Sequence, residues 1–204
     1  MNNTISYIVL MIVPVLFSLS VHEACHGYAA YALGDPTAKL QGRLTLNPLK
    51  HIDVFGLAVL FITRMIGWAK PVPVDPRYFK NPRKDMLWVA LAGPASNLAL
   101  GLIFALLLNY VGPLMTGSIF NPVKIMMEIM VFINVGLAIF NLIPIPPLDG
   151  GRVMVGLLPE NMANSWARIE PYGFIILLVL VFTKAVNFVI FPIIHNIVNI
   201  FLSI

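Results

Sequence analysis

Two histidines and a glutamate stand close together near the start of the sequence, as His22, Glu23 and His26. Residues four apart share one face of a helix, so both imidazoles can bind one metal ion while Glu23 addresses a water in an open coordination position. This spacing suits zinc. The alternative, histidines that are packed core residues, is disfavoured because the motif lies in a long apolar stretch. There each ionisable side chain costs at least about 2.5 kcal/mol to bury in lipid.

A zinc ion bound by two histidines needs a third protein ligand besides its catalytic water. Of the nine acidic residues, only Asp149 ends an apolar span in a strongly structured context, residues 141–151. His22 lies about 17 residues, or roughly 26 Å, into the first apolar stretch, and Asp149 ends the third, which runs in the same direction. Both should therefore reach the same face of the membrane. Taken alone, the Leu-Asp-Gly-Gly sequence at this point would also fit a simple turn.

The elements that must position these residues are membrane helices. Of the 204 residues, 59% are hydrophobic and 11% are charged, whereas soluble domains carry about 25% charged residues. With a mean hydropathy of +0.87, the composition excludes a water-soluble globule and predicts a multi-pass protein in the lipid bilayer. The net charge of +4 does not indicate nucleic-acid binding, because the basic residues are not interleaved with stacking aromatics on a polar face.

Apolar runs and their breaks predict an all-α protein with about four full transmembrane helices, within a range of four to six. The predicted spans cover residues 5–33, 87–111, 122–145 and 172–191. Residues 1–204 are interpreted as one membrane-embedded domain, with a three-helix core over about residues 5–151 followed by the C-terminal span and a tail. The tail from Pro192 could form an interfacial helix or part of a fifth span.

The polar stretches between the spans carry less regular signals. Residues 38–48 alternate apolar and polar side chains around Gly42, which predicts a small β-hairpin. Residues 54–63 form an apolar run of only ten residues and are interpreted as re-entrant or interfacial, rather than as a further span. Residues 67–86 contain four prolines and predict a loop.

The basic residues indicate the orientation in the membrane. Nine of the thirteen lie between the first and second predicted spans, and Arg152 and Arg168 follow the third. If residues 54–63 do not cross, all of these fall on one side, which the positive-inside rule makes cytoplasmic. The metal site then lies near the cytoplasmic face of the cell membrane. If residues 54–63 do cross, the basic residues divide between both faces and the rule loses its force.

Three motifs of the sequence occur together and in a fixed order. They are residues 22–27, with both histidines, residues 91–97, with Gly-Pro-Ala-Ser-Asn, and residues 141–151. Together they resemble the site-2 protease family of intramembrane zinc metalloproteases. Residues 34–48 and 67–74 are similar to its compact prokaryotic branch, and the sequence has no inserted PDZ-type module. The resemblance covers about residues 20–175.

The resemblance implies a zinc metalloendopeptidase. In it His22, His26 and Asp149 bind one zinc ion, Glu23 is the catalytic acid and base, and the substrate is a transmembrane protein or peptide cut within or near the membrane. The alternative is a metal-ion transporter or metal-binding membrane protein that uses the same residues. A transport pathway would need polar residues across the full depth, whereas here they cluster near one face. Composition indicates no oligomeric state, because lipid-facing spans and helix interfaces look alike.

Further polar residues could support the site. Asn141, two turns before Asp149, could donate to a developing oxyanion, or it could make a hydrogen bond between helices. Asn97 is interpreted as a packing residue that could bond across helices. His51 and Asp53 are expected to be structural rather than ligands. The edge of the predicted hairpin could accept a substrate by strand addition, or the hairpin could be a simple surface feature.

Overall fold

The computed structural model describes residues 3–56, 69–183 and 185–204. Within these residues the chain is helical, which confirms the predicted all-α class, and the only β-contact is an isolated antiparallel bridge between Ile52 and Ala69. In chain order the α-helices are α1 (Asn3–Ala32), α2 (Thr37–Leu40), α3 (Pro82–Leu106), α4 (Asn121–Asn141), α5 (Asp149–Leu157), α6 (Glu160–Ala167), α7 (Glu170–Phe182) and α8 (Ala185–Leu202).

Three helices of the described chain are long and apolar enough to cross a membrane. The crossing segments are Leu10–Ala32 in α1, Pro82–Leu114 in α3 and the turns that continue it, and Ser118–Asn141 in α4 and the turn before it. The prediction of about four full spans is therefore wrong for the described residues. Among the residues that the structure describes, Glu170–Leu180 in α7 and Phe188–Leu202 in α8 are apolar stretches shorter than a full span.

The fourth predicted span, residues 172–191, is divided between α7 and α8. At the end of α7 the Thr183 hydroxyl lies within hydrogen-bond distance of the carbonyls of Val179 and Leu180, at 2.7 and 3.3 Å. Such hydroxyl contacts compete with the regular helix ladder. Hydropathy does not register such contacts, and Lys184, which follows Thr183, lies outside the described residues. The predicted tail from Pro192 belongs to α8.

The predicted β-hairpin over residues 38–48 is wrong. Residues Thr37–Leu40 form α2, Gly42 turns the chain with a φ of 62°, and Pro48–Lys50 form a tight 3-10 turn capped by the Asn47 side chain. Glycine and proline interrupt the alternating pattern where a paired strand would need continuous backbone hydrogen bonds. The strand edge that a substrate could have joined is therefore absent from this segment.

The loops between α1 and α3 are held by buried polar side chains. Arg43 Nη2 donates to Lys70 O at 2.8 Å, and the Lys70 N–H donates to His51 O at the same distance. His51 Nε2 lies 2.8 Å from Thr45 O, and Asp53 Oδ1 accepts from two backbone amides that follow it. These contacts give His51 and Asp53 a structural role.

The loop predicted over residues 67–86 is confirmed for residues 69–81, whereas residues 82–86 already belong to α3, where Pro82 occupies the first helical turn, a position that proline tolerates. Residues 70–75 have no regular secondary structure, a 3-10 turn follows at Pro76–Tyr78, and α3 begins at Pro82. Most of the segment predicted to be re-entrant or interfacial, residues 54–63, lies outside the described residues.

The central helix is α3, which packs on α1, α4 and α5. Its buried residues are mostly small: Val89, Ala90, Gly93, Pro94, Asn97, Gly101 and Ala105. Small side chains let membrane helices approach closely. On the far side of α4, Val131 and Val135 pack against Ile194 and Val198 of α8. Because α1 and α5 both pack on α3, the histidine pair and Asp149 are brought to one place.

Candidate metal centre

The two histidines and Asp149 meet at one point between α1 and α5. His22 Nε2 and His26 Nε2 lie 3.0 Å apart, and Asp149 Oδ2 lies 3.1 and 3.2 Å from them. All three residues are buried. In the described part of the chain, no other set of three histidine, cysteine or acidic side chains converges in this way. The fold therefore brings together the three residues that the sequence singled out as ligands.

These three atoms fit a tetrahedral zinc ion. Zinc binds histidine nitrogen at about 2.0 to 2.1 Å, which sets ligand atoms of a tetrahedral site about 3.3 Å apart. Asp149 Oδ2 is buried and accepts no hydrogen bond from the described residues, an arrangement that is costly unless a cation binds the oxygen. Two imidazoles and one carboxylate also leave a fourth position for water, as in catalytic zinc sites.

Hydrogen bonds on the far side of each ring orient the imidazoles. His26 Nδ1 lies 2.7 Å from Val89 O, and His22 Nδ1 lies 2.6 Å from Asn97 Oδ1. Both partners belong to α3. A backbone carbonyl can only accept, so His26 Nδ1 carries the hydrogen and its Nε2 lone pair faces Asp149. Sequence reasoning interpreted Asn97 as a packing residue and missed its contact with His22.

Two glycines bring Asp149 to the histidines. A Cβ atom on Gly150 would collide with the Leu142 carbonyl, and one on Gly151 would lie 2.5 Å from Pro146 N. The first turn of α5 can therefore sit directly on the backbone that precedes it. The Leu-Asp-Gly-Gly sequence is thus a tight connection, and it also carries the candidate ligand.

Glu23 is half-buried beside His22 and is held by a backbone amide. Its Oε2 accepts the N–H of Val72 at 2.8 Å. Sequence reasoning missed this contact, because the two residues are far apart in the chain. One signal was present: Val72 stands between Pro71 and Pro73, and since proline has no N–H, the Val72 amide is the only backbone donor among these three residues.

Asn141 lies at the end of α4, and its Nδ2 donates to Leu137 O within the same helix at 2.9 Å. To reach a developing oxyanion, the side chain would have to leave this bond. The oxyanion role of Asn141 stays a prediction.

A cavity of about 440 Å³ lies close to the centre along α3. Met86 lies in the wall of this cavity. It precedes Val89 by one helical turn, and the Val89 carbonyl contacts His26. The rest of the wall is largely proline and aliphatic residues, with three charged side chains: Arg83, Arg152 and Glu170. The cavity therefore offers mostly apolar space, and its wall includes Gly151, two residues after Asp149.

A helical membrane bundle with two imidazoles, a carboxylate and a neighbouring glutamate at one point defines a metal-dependent hydrolase that works inside the bilayer. The sequence profile of Peptidase family M50, the site-2 protease family, matches residues 10–183, and the chain belongs to that family. The protein is an intramembrane zinc metalloprotease, and the transporter alternative is not favoured.

Bacterial relatives agree with this assignment. A Bacillus subtilis protein is 40% identical over 91% of this chain and 85% of its own length. A Mycolicibacterium smegmatis protein is 34% identical over 88% of this chain and 69% of its own length, and a Mycobacterium tuberculosis protein is 29% identical over the same shares. All three carry the name "Putative zinc metalloprotease", YwhC in the first and Rip2 in the other two. No solved structure matches the chain.

Proposed function

We propose that His22, His26 and Asp149 bind the zinc ion and that Glu23 is the general acid and base in peptide-bond hydrolysis. The convergence of the three candidate ligand atoms to within 3.2 Å carries this proposal. Zinc bound to such a set lowers the pKa of its water to about 7 and polarises the carbonyl that is attacked. Glu23 accepts a proton from the attacking water and donates it to the amide nitrogen, which leaves as an amine. The Val72 N–H holds Glu23 Oε2 and so fixes the position of the carboxylate.

The substrate in this proposal is a membrane-inserted segment of a protein or peptide. A helical segment hides its amides in internal hydrogen bonds, so it must unwind before a peptide bond can be attacked. The cavity along α3 supports this step, because its proline and aliphatic wall gives an unwound apolar chain a place beside the centre.

We infer that the centre lies near the cytoplasmic face of the cell membrane. Lys80, Arg83 and Lys84 stand at the start of α3, which is the end of the bundle that carries the candidate ligands. Basic loops favour the cytoplasmic side. Val89 lies seven residues into α3, so the centre is about 10 Å from the beginning of that helix.

Replacing Glu23 with Gln tests the proposed function most directly. The amide cannot exchange the proton but leaves the candidate ligands in place. We expect Glu23→Gln to retain zinc in metal analysis of the purified protein. It should lose at least about 100-fold in the rate of cutting a tagged single-span membrane reporter that the unaltered protein cuts.

Glu128→Gln, the same change at an exposed position of α4, is the matched control and should leave both quantities unchanged. Undiminished cleavage by Glu23→Gln would contradict the acid and base role. Zinc uptake by cells that express this variant would favour transport instead.

A further inference from the structure

Two asparagines connect His22 to the backbone of α4 through buried hydrogen bonds. His22 Nδ1 lies 2.6 Å from Asn97 Oδ1, and Asn97 Nδ2 donates to Asn134 Oδ1 at 2.8 Å. Asn134 Nδ2 donates to Met130 O and to Ser18 Oγ, both at 2.8 Å. Asn97, Asn134 and Ser18 are fully buried. This asparagine relay therefore crosses from α1 through α3 to α4 away from solvent.

The direction of each hydrogen bond in the relay follows from the contact between Asn134 and Met130 O, at the end away from His22. A backbone carbonyl only accepts, so the Asn134 group that faces Met130 O must be the NH2 group. The Asn134 oxygen then faces Asn97, which presents its own NH2 group to it. Asn97 consequently turns its oxygen to His22, and an oxygen acceptor there requires a hydrogen on His22 Nδ1. The Nε2 lone pair is left to face Asp149.

We propose that Asn97 and Asn134 are positioning residues that keep His22 in the Nδ1–H tautomer that a metal ligand needs. Two backbone carbonyls set this tautomer: Met130 O, which acts through Asn134 at 2.8 Å, and Ser18 O, which accepts directly from Asn97 Nδ2 at a longer distance of 3.4 Å. The inference rests on the proposed function, since it takes His22 as a zinc ligand. It adds an explanation of how the Asn97 amide is kept from turning its NH2 group, instead of its oxygen, toward His22.

The comparison between the two histidines shows why Asn134 is needed. His26 bonds directly to Val89 O, a backbone acceptor that cannot turn over. An asparagine amide can turn by 180°, and Asn97 would then present its NH2 group to His22 and favour hydrogen on Nε2. In that tautomer the ring could not bind zinc through Nε2. Asn134 makes the turned state costly, because the side-chain oxygens of Asn97 and Asn134 would then face each other and neither could donate a hydrogen bond.

The first test removes the far end of the relay. We expect Asn134→Leu to lower zinc affinity about 10- to 100-fold, measured on purified protein in detergent by competition with a zinc-binding fluorescent dye. Asn109→Leu is the matched control, because Asn109 also bonds across helices, to Phe201 O at 3.3 Å, and should not change zinc affinity.

The second test separates orientation from packing by a double-mutant cycle. Both oxygens of a carboxylate accept, so Asn97→Asp needs no neighbour to orient it. The loss of zinc affinity caused by Asn134→Leu should therefore vanish when Asn97→Asp is already present. A residue that acts only through packing would cause the same loss in both backgrounds, and that result would overturn the proposal. Unchanged zinc affinity in folded Asn134→Leu would also overturn it.

Further variants keep the test decisive if Asn134→Leu does not fold. Asn134→Ala can replace it in the cycle, and on the native background Asn97→Leu should lose zinc affinity. His22→Ala distinguishes a failure of the proposed zinc ligands from a failure of the asparagine relay. Normal zinc affinity in His22→Ala would overturn the proposed ligand set, whereas loss in His22→Ala with normal affinity in Asn97→Leu would overturn the relay alone.

Discussion

Gly93 is the residue of the central helix α3 that lies against both histidine ligands, His22 and His26. A Cβ atom there would lie 2.6 Å from His22 Cε1 and would also collide with the imidazole of His26. The missing side chain lets α3 approach closely enough for Val89 O and Asn97 Oδ1 to reach the two rings. In the sequence, Gly93 stood out only as part of the Gly-Pro-Ala-Ser-Asn motif within residues 91–97.

Gly93→Ala tests this close approach. The added methyl group must displace an imidazole, so we expect zinc affinity to fall by about 100-fold or more and cleavage to fall with it. The measurement is dye competition on protein that remains monodisperse. Gly136→Ala is the control, because its Cβ atom would have Ile194 Cδ1 at 4.0 Å as its nearest neighbour. Equal zinc affinity in both variants would show that the contact at Gly93 has no influence on the ligands.

Among the elements, α3 combines three tasks, since it orients both imidazoles, borders the cavity and carries a cluster of basic residues at its start. The loop of residues 69–75 leads into that end of the bundle, and its Val72 amide contacts Glu23. The orientation of α3 in the bilayer therefore decides on which side of the membrane the centre lies.

Cysteine labelling measures that orientation. In a Cys25→Ala background, Lys80→Cys should react with a membrane-impermeant maleimide only after the membrane has been opened, because the start of α3 faces the cytoplasm in our proposal. Ser118→Cys, beyond the opposite end of α3, should react in intact cells. Both positions are exposed. Labelling of Lys80→Cys in intact cells would reverse the proposed orientation.

For the whole molecule, the proposed zinc ion joins α1 to α5 across the bundle. A ligand that binds only the folded state stabilises it, by about 2.7 kcal/mol when the free ligand is at 100 times its Kd. Both elements also pack on α3, so zinc adds to an existing bundle rather than creating it.

Removal of zinc should therefore lower the thermal stability of the detergent-solubilised protein. We expect 1,10-phenanthroline to reduce the unfolding temperature by about 5 to 10 °C, whereas the isomer 1,7-phenanthroline, which does not chelate, should have no effect. Fluorescence-detected unfolding gives the measurement. Asp149→Ala should show no zinc-dependent shift, and a shift equal to that of the unaltered protein would exclude Asp149 as a ligand.

Features that rest on local geometry were predictable from the sequence. The four-residue spacing of His22 and His26 places them on one helix face wherever that helix lies. Low charge and long apolar runs predict membrane helices because lipid leaves backbone groups no other partners. Asp149 could be assigned to the same site as the histidines because, of the nine acidic residues, only Asp149 ends an apolar span in a strongly structured context.

The features that the sequence did not predict depend on how distant segments pack. Residues 38–48 have an alternating pattern, but a strand also needs a partner, and the pattern alone does not supply one. The Val72 amide beside Glu23 and the bond between Asn97 and Asn134 join residues of different elements, so no local rule connects them. The amino-acid order by itself determined the class, the three long membrane helices and the candidate ligands. Packing around α3 decided which neighbours hold those ligands, because hydrogen bonds depend on distance in space and not on distance along the chain.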